Sequence, residues 1–137
     1  MMHPYGSSYL ETRILSATPL ELVGLLYEGA IEAVRDARHY LATGNIRERS
    51  RCVTKALAIV GELASSLDRS AGGEIGNRLS ALYDYIQQSL MDANFRQEEE
   101  GLKNAESLLV TLHEAWSQVL TQAPVEAVVE TAYRYTA

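Results

Sequence analysis

Proline occurs only at positions 4, 19 and 124. A proline inside a helix removes a backbone donor and clashes with the preceding turn, at about 3 kcal/mol or more. Everything between Pro19 and Pro124 is therefore free to be helical. The apolar residues in that stretch recur by threes and fours, with no useful β-alternation. The breaks come from glycine and asparagine instead.

The first helix is announced by Thr18-Pro19-Leu20-Glu21. Thr18 suits the N-cap, Pro19 the first helical position, and Glu21 the reciprocal place in a capping box. The stripe Val23, Leu26, Ala30, Ala33/Val34, Ala37, Leu41 forms one face, and Gly44 fits the left-handed residue past a helix end. A helix over Pro19–Thr43 follows. Asn45 is the next N-cap, with Glu48 three residues on. That second stripe is Val53, Ala56/Leu57, Val60, Leu63/Ala64, Leu67, and Ser70-Ala71-Gly72-Gly73 reads as the turn after it. A third helix carries Ile75, Leu79, Leu82, Ile86, Leu90 and Ala93. A fourth, from about Gln97, carries Leu102, Ala105, Leu109, Leu112, Trp116 and Val119. No Gly or Pro marks the break between these two, so a continuous helix through Asn94–Gln97 stays open.

Four long amphipathic helices with short connections predict an all-α fold, an antiparallel up-down four-helix bundle. Residues 1–16 form an N-terminal arm, read as a short apolar-faced helix or an extended segment. Residues 17–122 form the bundle, and 123–137 a C-terminal extension. The 137 residues are enough for a single domain with its own core.

Composition narrows function by exclusion. The net charge is −6 and the densest positive cluster, Arg47, Arg49 and Arg51, is interrupted by Glu48. Nucleic-acid binding and attraction to an anionic membrane both need a basic footprint, so neither is expected. Cys52 is the single cysteine, which rules out a disulfide framework and reads as a small buried hydrophobe. Met1-Met2-His3-Pro4-Tyr5 lacks the basic and apolar regions of a secretory signal, and no apolar run is long enough to span a membrane. A cytoplasmic location is the expectation.

Catalytic and metal chemistry find little support. A bundle metal site needs inward carboxylates and paired Glu-x-x-His segments. The nearest approach, Asp36-Ala37-Arg38-His39, occurs once, and the inward stripes are Leu, Val, Ile and Ala. His39 and His113 read as surface or boundary residues. Gly72-Gly73 lacks the strand and the Lys-Ser/Thr of a phosphate loop. Glu98-Glu99-Glu100 reads as acidic residues favoured at a helix start. No enzyme activity and no cofactor are expected.

Two features exceed what a four-helix core needs. Leu20, Leu22, Val23, Leu25, Leu26 and Tyr27 nearly encircle the first two turns of their helix, so that end is covered on several sides. Eight tyrosines stand against one phenylalanine, a bias toward aromatic surfaces with a wet edge, which suits core rims and interfaces alike. Tyr83 and Tyr85 point in different directions and cannot both face the core.

These segments occur in an order that resembles the FliS family of flagellin export chaperones. The matching pieces are Tyr9; Ser16-Ala17-Thr18-Pro19-Leu20-Glu21-Leu22; Leu26-Tyr27-Glu28-Gly29-Ala30; Leu63-Ala64-Ser65-Ser66-Leu67-Asp68; and Gly72-Gly73-Glu74-Ile75. They continue with Leu79, Leu82-Tyr83-Asp84-Tyr85, Leu90, Ala93-Asn94 and Trp116, so the resemblance covers about Tyr5 to Leu120. It implies a bundle whose N-terminal arm caps an apolar groove. It also implies a cytoplasmic role: holding the disordered C-terminal segment of flagellin, preventing premature polymerisation, and assisting delivery to the flagellar type III export gate. Tyr5, Tyr9, Leu10 and Ile14 are the expected arm contacts; Leu22, Leu26, Tyr27, Tyr83, Ile86 and Leu90 are the expected groove. Gly24 departs from the family's larger apolar residue and is expected to open space there. The alternatives are a structural or adaptor bundle that dimerises by exchanging its arm, and a metal-binding bundle. The chain is expected as a monomer or a homodimer.

Overall fold

The computed structural model describes residues 11–13, 15–67 and 69–119. Four helices make up its body: α1 (Pro19–Thr43), α2 (Ile46–Ser66), α3 (Arg69–Arg96) and α4 (Glu99–Val119). Ahead of them, residues 11–13 and 15–16 are also helical. Each long helix packs on two others, α1 on α2 and α4, and α3 on α2 and α4. The result is a ring of antiparallel neighbours, an all-α bundle as the periodicity predicts.

Local chemistry sets the boundaries. Thr18 and Glu21 form the capping box in full, with Glu21 N–H donating to Thr18 Oγ1 at 3.1 Å and Thr18 N–H to Glu21 Oε1 at 3.3 Å. At the far end of α1, Gly44 turns left-handed at φ 75°. Asn45 N–H then reaches back to the Tyr40 carbonyl at 2.9 Å and Gly44 N–H to that of Leu41 at 3.3 Å, the paired bonds of a Schellman closure. Asn45 immediately caps α2 by accepting from Glu48 N–H at 3.1 Å. Two residues thus serve as both the stop of one helix and the start of the next.

The α3–α4 break has the same architecture without a glycine. Gln97 adopts φ 58°, and Glu98 N–H bonds the Ala93 carbonyl at 3.0 Å. The continuous-helix alternative is therefore excluded, and α4 begins at Glu99 rather than Gln97. The second turn also differs from expectation. Helix α2 ends at Leu67, which is extended, and helical backbone resumes at Arg69. Gly73, at φ 58° and ψ −133°, is a kink within α3 rather than part of a loop. One glycine of the pair supplies the left-handed residue, and the pair as a whole reads as a turn from sequence.

One core cluster runs through all four helices, built on Val23, Tyr27, Ala30, Val34, Val53, Val60, Leu63, Tyr83, Ile86, Leu90, Leu102, Leu109 and Trp116. Ile75, read as part of the inward stripe, is instead exposed. Cys52 is half-buried against the core. Burial first, then Asp36 and Glu48, push its thiol above the ordinary range. Arg51 acts in the opposite direction and is outweighed. Helices α3 and α4 approach most closely at Gly101, where an added Cβ would stand 2.7 Å from Ala93 Cβ and 3.0 Å from the Ser89 carbonyl oxygen.

Candidate functional site

The bundle has two unlike ends. The link end carries the α1–α2 and α3–α4 connections. The open end carries the start of α1, the end of α4 and the segment before α1. The apolar surplus of α1 lies at the open end. There Val23 and Tyr27 are core residues, whereas Leu20, Leu22, Leu25 and Leu26 are only partly buried.

Among the expected groove residues the structure makes a division. Tyr27, Tyr83, Ile86 and Leu90 are essentially inaccessible, none more than 2% exposed. They meet in the interior, where the Tyr27 and Tyr83 hydroxyls share a hydrogen bond of 2.6 Å across the bundle. Their rings are tilted 6.5 Å apart, and His113 lies 6.1 Å from the Tyr27 ring. A hydroxyl carried into an apolar core must find a partner there, and each of these finds the other. Leu22 and Leu26 alone of the six reach the surface. Tyr85, on the other side of α3, is exposed, so the two tyrosines do diverge. The expected arm residues Tyr5, Tyr9, Leu10 and Ile14, and the extension 123–137, lie outside the described residues.

Beside α1 the segment before it contributes to a cleft of about 300 Å³. Ala17, Gly24, Leu25 and Trp116 supply apolar walls, and Arg13, Glu21, Glu28 and His113 surround them. Arg13 approaches Glu28 at 3.8 Å, and the Ser16 hydroxyl donates to the Thr12 carbonyl at 2.8 Å. Gly24 faces the same helix α4: a Cβ at that position would sit 3.7 Å from Trp116 Nε1, in ordinary van der Waals contact.

Farther along the same α1–α4 seam the contacts become ionic. Arg35 Nε donates to Glu106 Oε2 at 3.0 Å and Arg38 Nη1 to Glu106 Oε1 at 2.9 Å. Arg38 also meets Glu99 at 3.5 Å. Burial, the largest single influence on Glu106, would raise its carboxyl. The two arginine hydrogen bonds and their charges together outweigh that and hold it below the usual carboxylate range. No set of three or more His, Cys, Asp or Glu side chains among the described residues could hold a metal ion.

The sequence has known relatives. Residues 1–123 match the family described as Flagellar protein FliS. The chain belongs to the FliS family. FliS of Salmonella typhimurium, named a flagellar secretion chaperone, is 35% identical over 120 residues, covering 87% of this chain and 89% of the relative. FliSB of Pseudomonas aeruginosa, named likewise, is 30% identical over 118 residues, 86% of this chain and 94% of its own length. FliS of Bacillus subtilis is 28% identical over 120 residues, 88% of each. The FliS match ends at residue 123, so the extension beyond it stands outside the family's common part. No helix among the described residues is long and apolar enough to cross a membrane.

Two features escaped the sequence reading. Arg49, read only as part of the densest positive cluster, is 4% exposed and donates through Nε to Asn94 Oδ1 at 2.9 Å. Only the arrangement of α2 against α3 reveals it. The Trp116–Gly24 cleft required knowing that α1 and α4 are neighbours; Gly24 was the one available signal.

Proposed function

We propose that this protein is a flagellar secretion chaperone whose client is flagellin. It binds the client's disordered C-terminal segment in the cytoplasm, keeps it from polymerising early and assists its delivery to the flagellar type III export apparatus. The role is one of binding and needs neither catalysis nor a cofactor. The observation that carries the client surface is the partly buried apolar band at the start of α1, Leu20, Leu22, Leu25 and Leu26, which the core leaves unconsumed. An amphipathic client segment can fold against such a band and gain its affinity from apolar burial, while the cost of ordering it keeps the complex releasable.

In this reading Leu22 and Leu26 touch the client. Tyr27, Tyr83, Ile86 and Leu90 hold that surface from beneath. Tyr5, Tyr9, Leu10 and Ile14 compete for it from the N-terminal arm. Calorimetric titration with a peptide of flagellin's C-terminal segment tests the assignment. Binding by the unchanged chain is expected, with a loss of tenfold or more for Leu22→Asp and Leu26→Asp, since a desolvated charge costs more than about 1.4 kcal/mol. Absence of binding by the unchanged chain would sink the client. Full binding by both folded variants would move the surface elsewhere.

A further inference from the structure

A broad groove of about 880 Å³ runs along the outer side of the α1–α2 pair. Its charges are sorted by helix. Glu32 and Asp36 stand on α1, and Arg47, Arg51 and Lys55 on α2 with Glu48 beside them. Three acidic and three basic groups make this face neutral, on a chain whose net charge is −6. Glu32, Asp36, Arg47 and Lys55 are exposed and have no ion-pair partner among the described residues. Arg51 meets Glu48 of its own helix at 3.4 Å, an exposed pair that contributes little. The floor is made of small side chains, Ala33 buried and Cys52 half-buried, which let a further layer of helix come close.

We propose that this face is a self-complementary dimer interface, covered by the same face of a second copy. Charge selects the occupant. An acidic or a basic segment would satisfy one helix and oppose the other, whereas the face carries both halves of its own match. Charge also selects the symmetry. A two-fold axis running along the groove sets α1 over α2 of the second copy at equal height. An axis across the groove would set acid on acid. The register then matches the pairs. A Cβ on Gly29 would lie 3.3 Å from Ile59 Cδ1, so the antiparallel helices put Glu32 level with Ala56 and Asp36 level with Cys52. Glu32 therefore reaches Lys55 of the second copy, and Asp36 its Arg51. Two helices about 31 Å long and about 20 Å across together offer ~600 Å² a side. That is the lower bound for a stable pair, so the dimer is a reversible one.

Sedimentation equilibrium of the full chain, from micromolar to millimolar concentration, tests the interface. It needs no client, so its outcome stands apart from the flagellin assignment. The unchanged chain is expected to pass from monomer to dimer over that range. Glu32→Lys and Lys55→Glu should each weaken the dimer by about tenfold or more, because like charges then face each other. Combining them on one chain should restore it to within about threefold. Glu32→Lys is the sharper probe: it makes the chain less negative, so relief of general repulsion alone would strengthen association. Both positions are exposed, and melts should stay within a few degrees of the unchanged chain. A chain that is monomeric at every concentration overturns the proposal. So does a dimer that both single variants leave intact, which would place the contact elsewhere, an exchanged N-terminal arm included. Failure of the combined variant to recover would overturn it as well.

Discussion

The link end and the open end of the bundle are built from the same kinds of helix yet solve opposite problems. At the link end Gly44 and Asn45 satisfy the Tyr40 and Leu41 carbonyls at the end of α1 and the Glu48 N–H at the start of α2, all within two residues. A buried arginine ties α2 to α3 there, and α3 and α4 touch through Gly101 with no space to spare. At the open end the first turns of α1 keep leucines half-covered, and Gly24 and Trp116 line a cleft. Completeness at one end lets the other remain incomplete: the rigid end fixes where the helices go, so the open end can present surface without losing register.

The contrast can be broken most severely at Arg49. Arg49→Ala removes the bond to Asn94 Oδ1 and the packing of the stem, and strands a part-buried amide. A loss of about 2–3 kcal/mol in urea unfolding is expected, since hydrogen bonds to charged groups sit in that range. A loss under 0.5 kcal/mol would mean the link end is not held this way.

Next come two substitutions of identical chemistry, one at each end. Gly101→Ala drives a methyl to 2.7 Å from Ala93 Cβ and should destabilise by about 1–3 kcal/mol, because overpacking outweighs the helix propensity gained. Gly24→Ala meets only ordinary contact at 3.7 Å. It should stabilise by about 1 kcal/mol from propensity alone. Equal signs in thermal melts would erase the distinction between the ends.

The smallest effect probes the seam that joins them. The Glu106 carboxyl is lowered in the fold, so its contribution to stability is complete above the ordinary carboxylate value. That contribution fades as pH falls through the lowered value, when the native state must take up the proton. Glu106→Gln should flatten the acid limb of stability against pH and leave the neutral-to-alkaline limb parallel to the unchanged chain. An unaltered acid limb would show that the arginines do not hold this group.

Where helices begin was legible because their caps are written in contiguous residues: Thr18 with Glu21, Asn45 with Glu48, Gly44 between them. Where α3 stops was not, because Gln97 takes a left-handed conformation that its side chain does not advertise, forced by the bond from Glu98 to Ala93. Gly72-Gly73 was legible in part: Gly73 does break the helical backbone, at φ 58°, but helical residues already resume before it at Arg69. The site was harder. Spacing put Tyr27, Tyr83, Ile86 and Leu90 on suitable faces, but spacing alone does not separate a groove from the core behind it. That depends on which helices are neighbours, and for the tyrosines on whether each hydroxyl finds a partner. Arg49 shows the same limit, since a charged residue beside Arg47 and Arg51 looks solvated until Asn94 arrives from another helix.

The α1–α4 seam holds a further consequence. Hairpins α1–α2 and α3–α4 bring together residues close along the chain and cost little loop entropy. The seam joins residues as distant as Arg35 and Glu106, 71 positions apart. Closure entropy is therefore concentrated on the one contact that turns a row of helices into a ring. The ion-pair network and the Trp116 cleft both lie along that closing line, so the chain has placed its most costly join beside the half-covered start of α1.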